Sequence, residues 1–193
     1  MDIKQLLLDQ LSGAAAEKLG SSNGLDGSQT NTAINSALTA ILAGLQQEAG
    51  SQSQAEQLTT AISKDHDGSI LDSLSSAVDD EATRIDGTKI LEHIFGPQTG
   101  KITKEVAKDS GVSQSAAGSI LATLAPIVLG QLGKSKQTDG LDVGGLVNIL
   151  LGQKAGKGDG GLGDVVSGMF SKKNAGILAL VLGIFKLFVG RKR

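Results

Sequence analysis

The stretch Asp65-His66-Asp67-Gly68-Ser69-Ile70 contains the residue types of a calcium-binding loop. An EF-hand loop needs a bidentate acid at its twelfth position. If Asp65 and Asp67 held the third and fifth positions, the twelfth would be Leu74, whose side chain carries no oxygen. We therefore expect no calcium site. The plainer interpretation is a hydrogen-bonded turn that caps the next helix.

The chain has two histidines, His66 and His93, and no cysteine. A zinc site built from both histidines would require them to converge in the fold. The lack of cysteine excludes thiolate ligands, disulfides and cysteine nucleophiles. We expect no metal and no cofactor, and we interpret each histidine as a capping or surface residue.

The sequence contains no pattern typical of a catalytic site. It has no Gly-x-Ser-x-Gly elbow, and the Gly-rich residues 156–163 lack the Lys-Ser or Lys-Thr pair of a phosphate-binding loop. The neighbouring carboxylates Asp79, Asp80 and Glu81 look solvated, so nothing would shift their pKa toward a catalytic value. The sequence therefore predicts a protein that is not an enzyme and has no small-molecule substrate.

Residues 102–132 have the spacing of a helix-turn-helix, with a turn at Ser110-Gly111. In that DNA-binding motif the second helix presents polar and basic side chains to the major groove. Here no Lys or Arg lies between Ser110 and Gly133. The cations that could contact phosphates lie on the preceding helix: Lys101, Lys104 and Lys108. Weak nucleic-acid binding is therefore an alternative to a simple helical hairpin, because few phosphate contacts give low affinity at physiological salt.

The apolar pattern of this hairpin occurs twice in the chain. A shift of 86 positions places Ile34 on Ile120 and Leu38 on Leu124, and it nearly overlays Gly24-Leu25 on Gly111-Val112. We interpret this as an internal pseudo-repeat, covering about residues 2–49 and 98–134.

Local signals set the expected limits of the helices. Ser28 and Ser113 are the predicted N-caps of the two long helices, and Pro126 predicts a kink in the second. Three further segments are predicted: a first helix at 2–19, a helix that begins at about Ile70, and a linker at 133–138.

The composition favours closely packed helices. The chain is 39% hydrophobic, but it has four Phe, no Tyr and no Trp. A core of Leu, Ile, Val and Ala suits helices better than a sandwich of strands. We predict an all-α fold: a helical bundle of two pseudo-repeated hairpins at 1–135, followed by a Gly-rich, partly helical extension at 136–193.

Three blocks of sequence resemble a known family. They are Asp65-His66-Asp67-Gly68-Ser69-Ile70-Leu71, the segment 87–96, and Ser110-Gly111-Val112-Ser113 leading to Leu124-Ala125-Pro126. In this order they are similar to the YidB-like bacterial family, a domain of unknown function (937), over roughly residues 1–135. The resemblance implies an all-α bacterial protein of unassigned activity, and it implies no catalytic residues.

Charge is distributed unevenly along the chain. Residues 1–100 carry five Lys or Arg and fourteen Asp or Glu, a net charge of −9, whereas residues 101–193 carry thirteen and six, a net charge of +7. Such polarity favours attraction between subunits, or a basic end that faces an anionic surface. The third interpretation is a solvated surface of uneven composition.

An apolar segment at 175–189 lies between Lys172-Lys173 and Arg191-Lys192-Arg193. As part of a helix at about 174–190, it would reach about 22 Å, which is short of the roughly 30 Å hydrocarbon core of a bilayer. Small residues and one lysine recur on one face at spacings of three and four, and another helix could pack closely against this seam. The predicted contact residues are Gly176, Ala179, Gly183, Lys186 and Gly190, with Phe185 and Phe188 on the same helix.

Three interpretations of this terminal helix remain open: partial insertion into an anionic bilayer, a buried oligomerisation helix, or a terminal helix of the chain's own core. We expect a structural or scaffold protein that forms a homo-oligomer, attaches to a membrane through its extension, or does both. Met1-Asp2-Ile3-Lys4 lacks the features of a signal peptide. The expected location is therefore the cytoplasm, including the inner face of the membrane.

Overall fold

The computed structural model describes residues 3–50, 52–139 and 145, and these residues are almost entirely helical. No strand occurs among them, so the predicted all-α fold is confirmed for this part of the chain. The α-helices are α1 (Ile3–Gln10), α2 (Ala14–Ser22), α3 (Gly27–Glu48), α4 (Gln52–Asp65), α5 (Leu74–Ala77), α6 (Glu81–Phe95), α7 (Thr99–Ser110) and α8 (Gln114–Asp139). Short 3-10 segments occupy Ser69–Ser73 and Gly96–Gln98.

Helices α3 and α8 form the centre of the bundle. Every residue from Ile120 to Gly133 is buried, and so are most residues from Ala33 to Leu45. Both helices are apolar on several sides because other helices cover them: α1, α4, α6 and α7 all pack on α8. Burial of this aliphatic surface is the main source of the stability of the bundle.

Helix α6 packs on α8 at very short distance because of one glycine. A β-carbon added at Gly87 would lie 1.6 Å from the carbonyl oxygen of Ala122, so only hydrogen fits there. Gly44 plays a similar part on α3, where an added β-carbon would meet Ile94 and Phe95 at about 2.5 Å. Glycine and alanine thus let the helices pack close together, so the core is filled without large aromatic side chains.

The hairpins α2–α3 and α7–α8 have the same turn. Gly24 and Gly111 have φ angles of 67° and 68°, the left-handed region that favours glycine. In both turns the next amide donates to a carbonyl five residues back, Leu25 to Gly20 (2.9 Å) and Val112 to Ala107 (3.0 Å). These turns align with an offset of 87 residues rather than 86. The predicted shift of 86 came from aligning identical residue types. It is one residue too small, because alanines in α3 occupy the positions of larger residues in α8.

The two long helices also begin with equivalent caps. Ser113 is the predicted cap of α8, and its hydroxyl oxygen accepts from the amide of Ala116 (3.1 Å). The prediction of Ser28 for α3 is wrong. Asp26 is the cap there, and it forms a capping box with Gln29, whose amide donates to the Asp26 carboxylate at 2.8 Å.

Several predicted boundaries are also wrong. The expected first helix divides into α1 and α2 because Gly13 adopts a positive φ of 67°. The helix expected from Ile70 consists of a 3-10 segment and α5, since Ser73 leaves the helical region (φ −139°, ψ 43°). The predicted linker at 133–138 continues α8.

Helix α8 continues through Pro126 as one element. Among the described residues, it is the one helix long and apolar enough to cross a bilayer, with a mean hydropathy of 1.5 over its most apolar window. The bundle buries 89% of that window. The apolar character of α8 is therefore that of a core helix.

Candidate functional sites

An acidic cleft lies where the loop after α4 meets the start of α6. It has a volume of about 250 Å³. Four carboxylates line it together with His66: Asp65, Asp67, Asp80 and Asp86. The cleft joins the segments 65–70 and 80–86, and α8 forms part of its wall through Pro126.

Local hydrogen bonds fix two of these carboxylates. The backbone amide of Ser69 donates to Asp67 (3.0 Å) and lowers the pKa of that carboxyl. The side chain and backbone of Thr83 donate to Asp80, both at 3.0 Å, and lower the pKa of Asp80 in the same way. Both groups are therefore anionic at neutral pH, and each serves as a turn or helix cap.

The geometry gives the cleft no metal-chelating set. Among the residues that the structure describes, no three His, Asp or Glu side chains come close enough together to hold an ion. The segment predicted as a hydrogen-bonded turn has that conformation, with Gly68 at a φ of 99°. His66 belongs to the loop after α4 and lines the cleft beside the first turn of α6. His93 lies in the last turn of α6, where desolvation lowers its pKa.

The second candidate is the lysine face of α7, formed by Lys101, Lys104 and Lys108. All three side chains are exposed. At 100° per residue they fall within about 60° of one another, on the side of α7 opposite its buried residues Ile102 and Val106. None of the three lysines has an ion-pair partner within 4.0 Å among the described residues. The structure therefore places these predicted phosphate contacts together on one outward face.

The adjacent start of α8 offers little for reading bases. Gln114 and Ser115 are exposed and Ser119 is half-buried, but every residue from Ile120 to Gly133 is buried. A recognition helix lies in the major groove and contacts base edges with residues near its N-terminus. Here the accessible side chains at that end are Gln114, Ser115 and Ser119, none of which is basic, and the residues that follow them up to Gly133 form the core.

The predicted contact residues of the terminal helix lie outside the described residues: Gly176, Ala179, Gly183, Phe185, Lys186, Phe188 and Gly190.

Sequence reasoning missed the most strongly perturbed ionisable group, Glu48. Burial in the last turn of α3 raises its pKa from 4.5 to about 7. Also missed was a polar contact between α1 and α8, in which Gln10 donates to Gln131 (3.1 Å) and Gln131 donates to Ser135 (3.3 Å). No sequence signal identifies either feature, because each depends on neighbours brought together by the fold.

Comparison with known proteins gives one match. A family model described as a bacterial protein of unknown function (DUF937) matches residues 5–135. This range runs from α1 almost to the end of α8, and it confirms the resemblance found in the sequence. No curated protein and no solved structure matches the chain.

Proposed function

Since the chain belongs to this family of bacterial proteins of unknown function (DUF937), whose description names no activity, we propose that it is a non-enzymatic structural or scaffold protein. In this proposal the bundle is a rigid carrier, and the C-terminal extension makes the contacts, either with other copies of the chain or with an anionic membrane surface. The protein works in the cytoplasm, where the inner face of the membrane is the available lipid surface.

The observation that carries the proposal is the closure of the bundle. Among the described residues, Ile85 is the one large hydrophobic side chain that is exposed, at 51%. A single exposed aliphatic residue is ordinary for a soluble domain. The bundle thus has no large apolar patch of its own for assembly or lipid contact, and the apolar residues that remain to be covered belong to the extension.

The sequence of the extension supports the same division of roles. Residues 140–193 carry eight Lys or Arg and three Asp or Glu, a net charge of +5. Basic residues flank the apolar segment at 175–189, as expected for a segment that meets anionic headgroups. The seam of small residues would equally let helices of two subunits pack closely.

The proposal is tested by truncation after Asp139. We expect the truncated protein to keep the helical circular dichroism and cooperative unfolding of the bundle. It should lose self-association, measured by size-exclusion chromatography with light scattering, or binding to vesicles containing anionic lipid. Unchanged particle size together with unchanged vesicle binding would refute the proposal.

A seam-filling variant separates the two kinds of contact. Gly176→Leu, Ala179→Leu and Gly183→Leu together block close helix packing but keep the segment apolar. We expect self-association through the seam to be lost in this variant and lipid partitioning to be retained. Loss of vesicle binding with self-association intact would show that the seam faces lipid rather than protein.

A second candidate function is weak binding of nucleic acid. It is favoured by the alignment of three exposed lysines, without ion pairs to other described residues, beside a helix-turn-helix-like turn. Three phosphate contacts predict a slope of about −2.7 in log K against log salt concentration. Changing Lys101, Lys104 and Lys108 to Glu should abolish the retardation of duplex DNA. The matched control changes the exposed lysines Lys64, Lys89 and Lys134 to Glu, and it should retain binding if the α7 face is the site.

A further inference from the structure

The lysine face of α7 is a charged surface that has no ion-pair partner among the described residues. Its three cations point away from the bundle, and they form a stripe about 10 Å long at 1.5 Å per residue. The two acids of the same helix lie to one side of this stripe: Asp109 accepts from the hydroxyl of Ser36 at 2.5 Å, and Glu105 is half-buried. The outermost line of α7 is therefore purely basic.

The acidic cleft is the complementary feature elsewhere on the same molecule. Its carboxylates Asp65, Asp67 and Asp80 are exposed, and Asp86 is half-buried. The cleft lies at the first turn of α6, whereas the lysine face follows the last turn. Fifteen residues of helix, about 22 Å, separate these ends of α6. Within the described chain, no ion pair links the lysine face to the cleft.

From this complementarity we propose that the lysine face of one molecule docks on the acidic cleft of a second copy. The proposal rests on the function proposed above and adds to it a contact made by the bundle itself. Two different surfaces meet in such a contact, so the interface is heterologous. It leads to rings if the rotation closes and to linear assemblies if it does not.

The charge of the bundle favours a second copy over a polyanion. Residues 1–139 carry ten Lys or Arg and seventeen Asp or Glu, a net charge of −7. A duplex or an anionic bilayer repels most of this surface and offers it no complementary cations. Two bundles also repel each other through their net charge, but a second copy presents a compact acidic cleft to the lysine face and a lysine face to the cleft, so the local attraction can be made at both surfaces of each molecule. Electrostatic attraction between complementary patches also orients the encounter.

The test exchanges charges in the full chain. Variant one is Lys101→Glu/Lys104→Glu/Lys108→Glu, and variant two is Asp65→Lys/Asp86→Lys, which avoids the capping residues Asp67 and Asp80. Circular dichroism checks that both remain folded, and Lys89→Glu controls for an exposed charge reversal on another helix. We expect each triple or double variant alone to self-associate at least about tenfold more weakly than the wild type.

The decisive measurement is the mixture of the two variants. Their reversed faces are again complementary, so the mixture should associate, and association should weaken in 1 M salt, where the Debye length falls to about 3 Å. Assembly of each variant at wild-type strength overturns the inference and leaves assembly through the extension intact. A chain that is monomeric in all conditions overturns the inference and the self-assembly part of the proposed function together. If the mixture fails to associate, and variant one loses binding to duplex DNA but not self-association, the lysine face binds nucleic acid instead.

Discussion

At the scale of single residues, burial decides the chemistry of Glu48. This side chain sits at the C-terminal end of α3, where the negative end of the helix dipole adds to the cost of ionisation. Its raised pKa means that the native state holds a proton that the unfolded state releases between about pH 4.5 and 7. Stability is therefore lost as the pH rises through this window.

We predict that Glu48→Gln removes this loss. Between pH 5 and pH 8, the unfolding free energy of the wild type should fall by about 1 to 2 kcal/mol relative to that of the variant. This value is smaller than the full pKa shift implies, because the side chain is partly solvated. Urea unfolding of both proteins at the two pH values measures the difference in unfolding free energy. All other titratable groups are the same in both proteins, so their contributions cancel. A constant difference at both pH values would contradict the assigned pKa.

Gly87 is the residue at which the packing has least tolerance. Gly87→Ala should destabilise the bundle by about 2 to 4 kcal/mol, since the added methyl group would force α6 away from the backbone of α8. The control is Gly100→Ala on α7, where an added β-carbon meets nothing within 4 Å. It should be neutral or stabilising by up to about 1 kcal/mol. Equal effects of the two substitutions in thermal unfolding would show that helix propensity, not contact, decides the outcome.

At the scale of elements, the molecule uses one turn twice. In both hairpins a glycine with positive φ ends the first helix, and a side-chain oxygen two residues later caps the second. The caps differ chemically, a carboxylate in Asp26 and a hydroxyl in Ser113. Each satisfies an amide that would otherwise have no acceptor at the start of a long helix.

We predict that Asp26→Ala and Ser113→Ala each cost about 1 kcal/mol of unfolding free energy. Ser28→Ala is the matched control, because Ser28 is exposed inside α3 and caps nothing. Chemical denaturation of the three variants gives the comparison. A loss at Ser28 as large as that at Asp26 would rule out the assigned cap.

At the scale of the whole molecule, a closed acidic bundle precedes a basic, apolar extension. The bundle protects α3 and α8 from solvent, while the segment that contains α5 packs mainly through half-buried residues such as Ile70 and Leu74. Native-state hydrogen exchange should therefore be slowest between Ile120 and Leu132, and much faster between Ser69 and Ala77. Slow exchange in the second segment would mean that it belongs to the cooperative core.

The sequence alone determined the helical class, the family and the existence of two similar hairpins. Those features depend on periodicity, on the lack of large aromatic residues and on Gly111 followed by Ser113, all of which are local. The expectation that the protein is not an enzyme also came from the sequence, because no catalytic motif and no cysteine occur in it. The cap at Ser113 was predictable because a hydroxyl next to a glycine turn is a local signal.

Only the tertiary structure decided which helices would end early and which surfaces would meet. The break between α1 and α2 at Gly13 and the 87-residue register of the repeat are visible only in the backbone conformation. The clearance at Gly87 depends on Ala122, which is distant in the sequence. The same is true of the raised pKa of Glu48 and of the carboxylates gathered in the acidic cleft. Side-chain period fixes which face of a helix is apolar, but the neighbour that covers that face, and the distance at which it packs, result from the assembled bundle.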